Sequence, residues 1–491
     1  MVRGAIWMVL FKFIDRGLGL ISTMILARLL VPEDFGLIAM AMSLVAILEV
    51  FGAFGFDMAL ITNPAAERRH YDTAWTFNVL FGLVCGLALL ALALPAAGFF
   101  HETRLVPIVV VLAAASLVQG FENIGVVAFR KELRFDKEFR FLLGKRFAGL
   151  AVSIPLALVW QSYWALVAGI LAGRITNVLL SYYVHPYRPR WSLAARGELL
   201  HFSKWLLLNN LLVFGRERSG DFAIGRLAGP RSLGLYSVGY ELSYLPATEL
   251  VAPINRAVFP AYAQMAAQLD LLKEHFLRVL GVIAVMVLPA GAGIALTAHL
   301  FVPLLLGPKW LDAVLIIQIL ALSGTLGALQ TNFGAVYLAI GRPRITTEMM
   351  TLNLLILIPL LIVLTRAQGP VGAAWSVLVT SLLMVGANVW RLVTTLDLHV
   401  TRLIAGLHRP LVAALIMAAT IVSLPGFDTG MPATGSRALL LLGAVVTGAI
   451  TYIAALLGLW ILENRPAGAE RDLLDRILTR ASAARPPTRQ P

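Results

Sequence analysis

The sequence holds one cysteine, Cys85, among 491 residues, so no disulfide can close within the chain and redox chemistry has no partner thiol. Charge is scarce as well. Asp, Glu, Lys and Arg make up 14% of the chain, where a soluble protein carries about 25%. With 59% hydrophobic residues, so little charge could not cover the core of a soluble protein. Neither a Walker loop, an HExxH pair nor a paired CxxC occurs, and Gly291-Ala-Gly293 lacks the third glycine of a dinucleotide fingerprint. No polar segment between apolar stretches is long enough for a separate catalytic or ATPase domain, which needs about 50 residues or more. These absences disfavour nucleotide-driven pumps, metalloenzymes, and polymerases or ligases built on a large external loop.

What the chain has is apolar length. Mean hydropathy is +0.82, and a helix needs about 20 apolar residues to cross roughly 30 Å of hydrocarbon. Such stretches lie near 5–30, 35–62, 73–97, 105–129, 141–159, 162–184, 204–228, 235–258, 276–298, 313–340, 345–365, 369–393, 408–424 and 436–461. The first is interrupted by Lys12, Asp15 and Arg16 and lacks a small-residue cleavage site, so it reads as a membrane helix and not a signal peptide. None shows the period-2 alternation of a barrel strand. The expectation is an all-α integral membrane protein with about 14 transmembrane helices. Pro155, Pro246, Pro289 and Pro359 are expected to kink spans, and Gly82/Gly86 and Gly169/Gly173 to allow close helix packing.

The net charge is +13, and its placement sets orientation. With the N-terminus inside, about twenty-six basic residues fall on the cytoplasmic side and about seven outside, a positive-inside bias that puts both termini in the cytoplasm. Residues 28–37, RLLVPEDFGL, recur as RLAGPRSLGL at 226–235, each copy ending one span and opening the next. A weaker echo pairs Asn123-Ile124-Gly125 with Asn332-Phe333-Gly334. The repeat predicts two pseudo-repeated six-helix bundles, 1–184 and 204–395, joined by a cytoplasmic connector at 185–203. Two accessory spans at 408–461 and a basic cytoplasmic tail at 462–491 complete the chain, and RDLLDRILTR at 471–480 reads as a short surface helix. Parallel duplicated halves suggest a transporter that rocks around a midplane site.

Charge inside a span costs about 2.5–3.5 kcal/mol on insertion scales and so marks candidate function. The first span carries Lys12, Asp15 and Arg16 on one face, and the seventh carries Arg216, Glu217, Arg218 and Asp221. Lys12, Arg16, Arg216 and Arg218 are candidates for holding a phosphate or pyrophosphate. The alternative is structural pairing with the neighbouring acids, with Lys12 and Arg16 snorkelling. Asp15, Glu49, Asp221 and Glu241 are candidates for a coupling proton or sodium ion, against a fixed helix–helix hydrogen bond for each; Asp57, Glu122, Arg174 and Glu249 are further intramembrane charges. Tyr236, Tyr240 and Tyr244 share one helical face; interfacial belts also use tyrosine and Tyr236 fits one, whereas Tyr244 lies too deep for it, and Tyr240 and Tyr244 are the candidate sugar contacts. Glu33-Asp34 superficially fits a glycosyltransferase acidic pair, but the matching turn reads Arg231-Ser232, which favours a structural turn. No catalytic residues, metal site or cofactor are expected.

Segments ILARLLVPEDFGLIAMA (25–41), FRKELRFDK (129–137), NRAVFPAYAQM (255–265) and FVPLLLGPKW (301–310) resemble Wzx-type lipid-linked oligosaccharide flippases. These belong to the multidrug/oligosaccharidyl-lipid/polysaccharide exporter superfamily, and the likeness is to its colanic-acid and teichuronic-acid exporter branch. The resemblance implies two six-helix lobes around a central cavity, plus two accessory helices. It implies a polysaccharide-biosynthesis flippase in a bacterial cytoplasmic membrane, moving an undecaprenyl-pyrophosphate-linked repeat unit outward during exopolysaccharide, capsule or O-antigen synthesis. The partners implied are that polyprenyl-pyrophosphate-linked oligosaccharide, the lipid bilayer, and candidate polysaccharide polymerase and chain-length machinery, with no nucleic acid. The alternatives are a cation-coupled multidrug exporter on the same scaffold, or a membrane glycosyltransferase or polymerase.

Overall fold

A backbone in lipid must satisfy its N–H and C=O groups within the protein, and a helix does so within one segment. The computed structural model describes residues 2–52, 56–197, 204–427 and 434–465, and all regular structure among them is helical. The elements are α1 (Val2–Leu29), α2 (Pro32–Gly52), α3 (Phe56–Thr62), α4 (Arg68–Phe100) and α5 (Leu105–Gly120). After a 3-10 turn at Ile124–Val126 come α6 (Val127–Lys131), α7 (Phe135–Trp160), α8 (Trp164–Val184) and α9 (Lys204–Ser243). A π-helical turn at Pro246–Val251 leads into α10 (Ala252–Met265), α11 (Leu269–Leu305), α12 (Ala313–Ala339), α13 (Pro343–Leu396), α14 (Val400–Val422) and α15 (Thr434–Leu462).

Among the described residues, eight helices are long and apolar enough to cross a membrane. The number is nine if α5 and the Ile124–Lys131 segment, bent by 65°, form one broken crossing. The fourteen expected stretches also fall on α1, α2 and α9, so a count of fourteen crossings is not reached among the described residues. Charges in α1 and α9 lower their apolar character, and α13 counts once although it contains two stretches. At 54 residues, α13 would extend roughly 80 Å if straight, far beyond a bilayer. It breaks at Gly369 (φ 59°), just as α9 breaks at Gly229 (φ 80°). A proline follows each glycine, so the glycine takes the positive φ and the proline restarts the helix without needing a hydrogen-bonded N–H. Pro155, Pro289 and Pro359 lie inside continuous helices, whereas Pro246 opens the π-helical turn. The surface helix expected at 471–480 lies outside the described residues.

The chain divides into two compact units. The first comprises Met1–Ser237 with Leu305–Lys309 and Leu361–Pro370. Its helix crossings use Gly82 and Gly86 of the first expected pair and Gly169 of the second, whereas a Cβ at Gly173 would meet nothing nearer than 3.8 Å. A Cβ at Gly82 would lie 2.9 Å from Gly120 Cα, and one at Gly169 would lie 2.6 Å from Ser153 Cβ and 3.0 Å from Gly149 O. Only glycine lets α4 meet α5, and α8 meet α7, at those distances. The described part of the connector straps back onto α4: Asp72 accepts from Arg190 N at 2.8 Å, Thr76 from Ser192 N at 3.0 Å and Thr73 from Ala195 N at 3.2 Å.

The second unit comprises Val238–Leu304, Trp310–Leu360 and Val371–Pro491. One apolar cluster joins Tyr262, Phe276, Phe333, Tyr337 and Leu392. A second joins Leu300 on α11 to Met417 and Ile421 on α14 and Tyr452 on α15. Tyr452 Oη also donates to Val285 O at 2.9 Å, and Glu463 accepts from His408 at 2.7 Å and pairs with Arg409 at 3.2 Å. The accessory helices are thus tied to each other and to α11. The echo between Asn123 and Asn332 does not correspond to equivalent local structure. Asn123 caps the turn after α5 by accepting from Gly125 N, while Asn332 sits within continuous α12 and accepts from Tyr262 Oη.

Candidate functional site

The repeated motif is where the two halves of the sequence pattern meet, and both copies lie in the first unit. Gly36, at the start of α2, rests on the carbonyl of Pro230; a Cβ there would lie 1.7 Å from that oxygen. Gly234 rests in the same way on the carbonyl of Pro32, again at 1.7 Å. The contact is reciprocal, as expected about a local two-fold axis, and it requires glycine on both sides. Each of the motif's arginines contacts another segment of the same unit. Arg28 donates to Leu305 O at 3.0 Å, while Arg226 contacts the ring of His101 at the end of α4.

The acidic residues of the first copy serve this turn. Asp34 is buried and accepts two backbone hydrogen bonds, from Val31 N at 3.1 Å and from Tyr163 N at 3.0 Å. Glu33 pairs with Arg104 at 2.5 Å, and Arg104 also pairs with Glu102 at 2.7 Å. That arginine holds the Glu102 carboxyl below the usual carboxylate range. Both acids of the candidate glycosyltransferase pair are therefore engaged in turn structure.

Among the candidate pyrophosphate ligands, Lys12 and Arg216 are exposed and make no ion pair among the described residues. Arg16 is half-buried. Arg218 pairs with Asp221 at 3.0 Å, one helical turn along α9. Asp15 stands 3.5 Å from Arg146 on α7, and Glu49 stands 3.1 Å from Arg174 on α8. Three of the four candidate coupling acids thus face a guanidinium, the arrangement expected of structural pairs; Glu241, the fourth, is half-buried.

All four candidate cations fall in the first unit, whereas Tyr240, Glu241 and Tyr244 fall in the second. Tyr240 and Tyr244 stack on one another with centroids 4.0 Å apart, and Tyr244 Oη shares a 2.9 Å hydrogen bond with Ser323 Oγ. One face of each ring is therefore already covered. Tyr236 is buried beside Gly220 in the first unit.

A polar seam that the spacing of charges along single helices does not reveal runs between α5 and α8. Arg174 Nη1 donates to Ser116 Oγ at 3.1 Å; below it, Asn177 Nδ2 donates to Glu122 Oε2 at 2.7 Å; next, Asn123 N donates to Ser181 Oγ at 3.0 Å. The signal was present as Ser116/Gln119/Glu122 facing Arg174/Asn177/Ser181, helical spacing of polar residues within apolar runs. Reading it required knowing that these two helices pack together.

The chain is 24% identical over 386 residues to the lipopolysaccharide biosynthesis protein WzxC of Escherichia coli, covering 78% of each chain. It is 25% identical to the teichuronic acid biosynthesis protein TuaB of Bacillus subtilis, over 81% of this chain and 83% of the relative. It is 24% identical to the succinoglycan biosynthesis transport protein ExoT of Rhizobium meliloti, over 99% of this chain and 96% of the relative. In fold it is similar to the lipid II flippase MurJ in an inward closed conformation, with a TM-score of 0.73, 12% identity, and coverage of 96% of this chain and all of that one. It is also similar to an inward-facing multidrug resistance MATE transporter, with a TM-score of 0.58 and 15% identity over 78% of this chain and 95% of that one. The family model described as polysaccharide biosynthesis protein matches residues 25–315, more than half of the sequence, and the chain belongs to that family.

Proposed function

We propose that the protein carries a polyprenyl-pyrophosphate-linked oligosaccharide repeat unit from the inner to the outer leaflet of a bacterial cytoplasmic membrane, by alternating access. Family membership places the chain in polysaccharide biosynthesis, and the relatives' names include a transport protein. The observation that carries the reading is Arg216, an exposed arginine on α9 with no ion pair among the described residues, in a stretch that the sequence reads as a span. An uncompensated guanidinium at such a position is costly unless an anion meets it, and a pyrophosphate matches its planar fork. Lys12, Arg16 and Arg218 are assigned to the same role, and Tyr240 and Tyr244 to sugar contact. The polymerase and chain-length machinery remain the partners of this reading, with both termini cytoplasmic and the halves at 1–184 and 204–395 acting as the moving lobes. The engagement of Glu33 and Asp34 in turn structure supports a transporter over a glycosyltransferase.

The physical logic is short. Sugars cannot enter hydrocarbon without losing hydrogen bonds to water, whereas a polyprenyl tail can remain in lipid. A polar path open to the side accepts the head group and leaves the tail outside. A head group with two negative charges gains about 4.6 kcal/mol from 100 mV, inside negative, at roughly 2.3 kcal/mol per charge. The test is ligand-dependent thermal stabilisation. A lipid-linked oligosaccharide pyrophosphate should raise the melting temperature of the wild type and do so less in Arg216→Gln. Stabilisation by a lipophilic cation instead would favour the drug-export reading.

A further inference from the structure

The α5–α8 seam holds a carboxylate that the pyrophosphate reading does not use. At its first level Glu49 faces a full positive charge on Arg174, 3.1 Å away. At its second level Glu122 Oε2 accepts from Gln119 Nε2 at 2.8 Å and from Asn177 Nδ2 at 2.7 Å, and Glu122 makes no ion pair among the described residues. The charges that face it from neighbouring elements are Lys145 on α7, Arg130 on α6 and Asp57 on α3. Two neutral amides can solvate an ionised carboxylate in part, but they do not cancel its charge.

A second observation lies in the partner amide. Asn177 is 3% exposed, and its Oδ1 is buried without a hydrogen-bond partner. An orphaned buried acceptor beside a carboxylate is a poor arrangement unless a proton or cation visits. The amide has a donor end and an acceptor end of nearly equal shape. With Glu122 ionised, Nδ2 faces the carboxylate and Oδ1 is stranded. With Glu122 protonated, the amide can turn over so that Oδ1 accepts the carboxyl O–H. The Asn177 amide can therefore meet the Glu122 carboxyl in either protonation state. A sodium ion would need several further oxygen ligands, and Lys145 and Arg130 face the same carboxylate.

We propose that Glu122 is a proton-binding site, taking up and releasing one proton while the Asn177 amide turns over to match it. Coupling of this proton to cargo movement rests on the transport reading above; the binding itself does not. The direct test is infrared difference spectroscopy on the full-length protein in liposomes, titrated from about pH 5 to 9. The wild type should develop a neutral-carboxyl C=O stretch on acidification. That band should be missing from Glu122→Gln, displaced in Asn177→Leu, and retained in Glu49→Gln. Gln at position 122 keeps an amide oxygen for both donors, so its fold should persist. Identical wild-type and Glu122→Gln spectra would overturn the site. The same band lost on adding sodium at constant pH would overturn the proton in favour of a metal ion. In sealed proteoliposomes, an imposed pH gradient should change wild-type transport several-fold and leave the Glu122→Gln rate unresponsive. Equal responses would overturn the coupling. Failure of the wild type to move any lipid-linked cargo would count against the transport reading, while the spectra would still decide Glu122.

Discussion

Alanine at Gly234 is the sharpest probe of the repeated-motif contact. Its Cβ would lie 1.7 Å from Pro32 O, whereas ordinary contact begins at 3.4 Å, so the two turns must part by roughly that difference. The obstacle is a backbone carbonyl, which cannot swing aside as a side-chain end would. Overpacking of this kind costs about 1–3 kcal/mol, a shift of about 5- to 150-fold in the population holding the turns together. Gly36→Ala makes the mirror clash with Pro230 O. One separation relieves both, so the double variant should cost little more than either single one. The assay is maleimide labelling of Leu233→Cys in a Cys85→Ala background, since Leu233 is fully buried beside the contact. Gly234→Ala should accelerate labelling within that range, while Gly98→Ala, which has open space around it, should not. Unchanged labelling and unchanged thermal stability in Gly234→Ala would refute the reasoning.

Other consequences follow from the same geometry. Asp34→Asn keeps one carbonyl oxygen for two backbone donors and should cost about 1.5–3 kcal/mol, whereas Glu33→Gln, in an exposed pair, should cost under about 1 kcal/mol; both should still transport, and abolished turnover in Glu33→Gln at full stability would revive the enzyme reading. Gly169→Ala places a Cβ 2.6 Å from Ser153 Cβ and should lower the melting temperature of purified protein by the equivalent of about 1–3 kcal/mol, with Gly169→Ala/Ser153→Gly recovering part of the loss. His185, in the connector, is held below its ordinary value by burial, and its Nδ1 accepts from Tyr187 N at 3.2 Å. Its folded value is depressed, so its contribution is full above about pH 6.5 and is lost as pH falls through the folded value. A melting curve that drops on acidification in the wild type should flatten there in His185→Gln, and parallel curves would refute the assignment.

Much of the fold was legible because lipid imposes few solutions. Long apolar runs without alternation had to be helices, and the RLLVPEDFGL/RLAGPRSLGL repeat located two turns that prove to be in mutual contact. Gly82 and Gly169 were recognisable as packing positions because small residues at that spacing have one main use in membranes. The number of crossings was less legible. Gly229-Pro230 and Gly369-Pro370 lie where one apolar stretch gives way to the next, yet each only bends a helix that carries on, and charges such as Arg216 and Asp221 blur where a span begins. The site was read in part. Charged residues announced themselves by cost, but which acid would find an arginine depended on helix neighbours. Asp15 finds Arg146 and Glu49 finds Arg174, each on another helix, while Glu122 finds amides. Sequence spacing reveals partners along one helix, as for Arg218 and Asp221, and is silent about partners across two.

The central claim is outward movement of an anionic lipid-linked sugar through a basic site. Its most direct test is transfer of a fluorescent polyprenyl-pyrophosphate oligosaccharide in sealed proteoliposomes, read by one-sided quenching, for the wild type and the Arg216→Gln/Arg218→Gln variant at matched folded incorporation. The account predicts transfer by the wild type, faster under an inside-negative potential, and at least a tenfold loss in the variant, since two charge-assisted contacts are worth about 1.5–3 kcal/mol each. Equal transfer by both proteins would contradict the basic site, and no transfer by the wild type with or without the potential would contradict the claim itself.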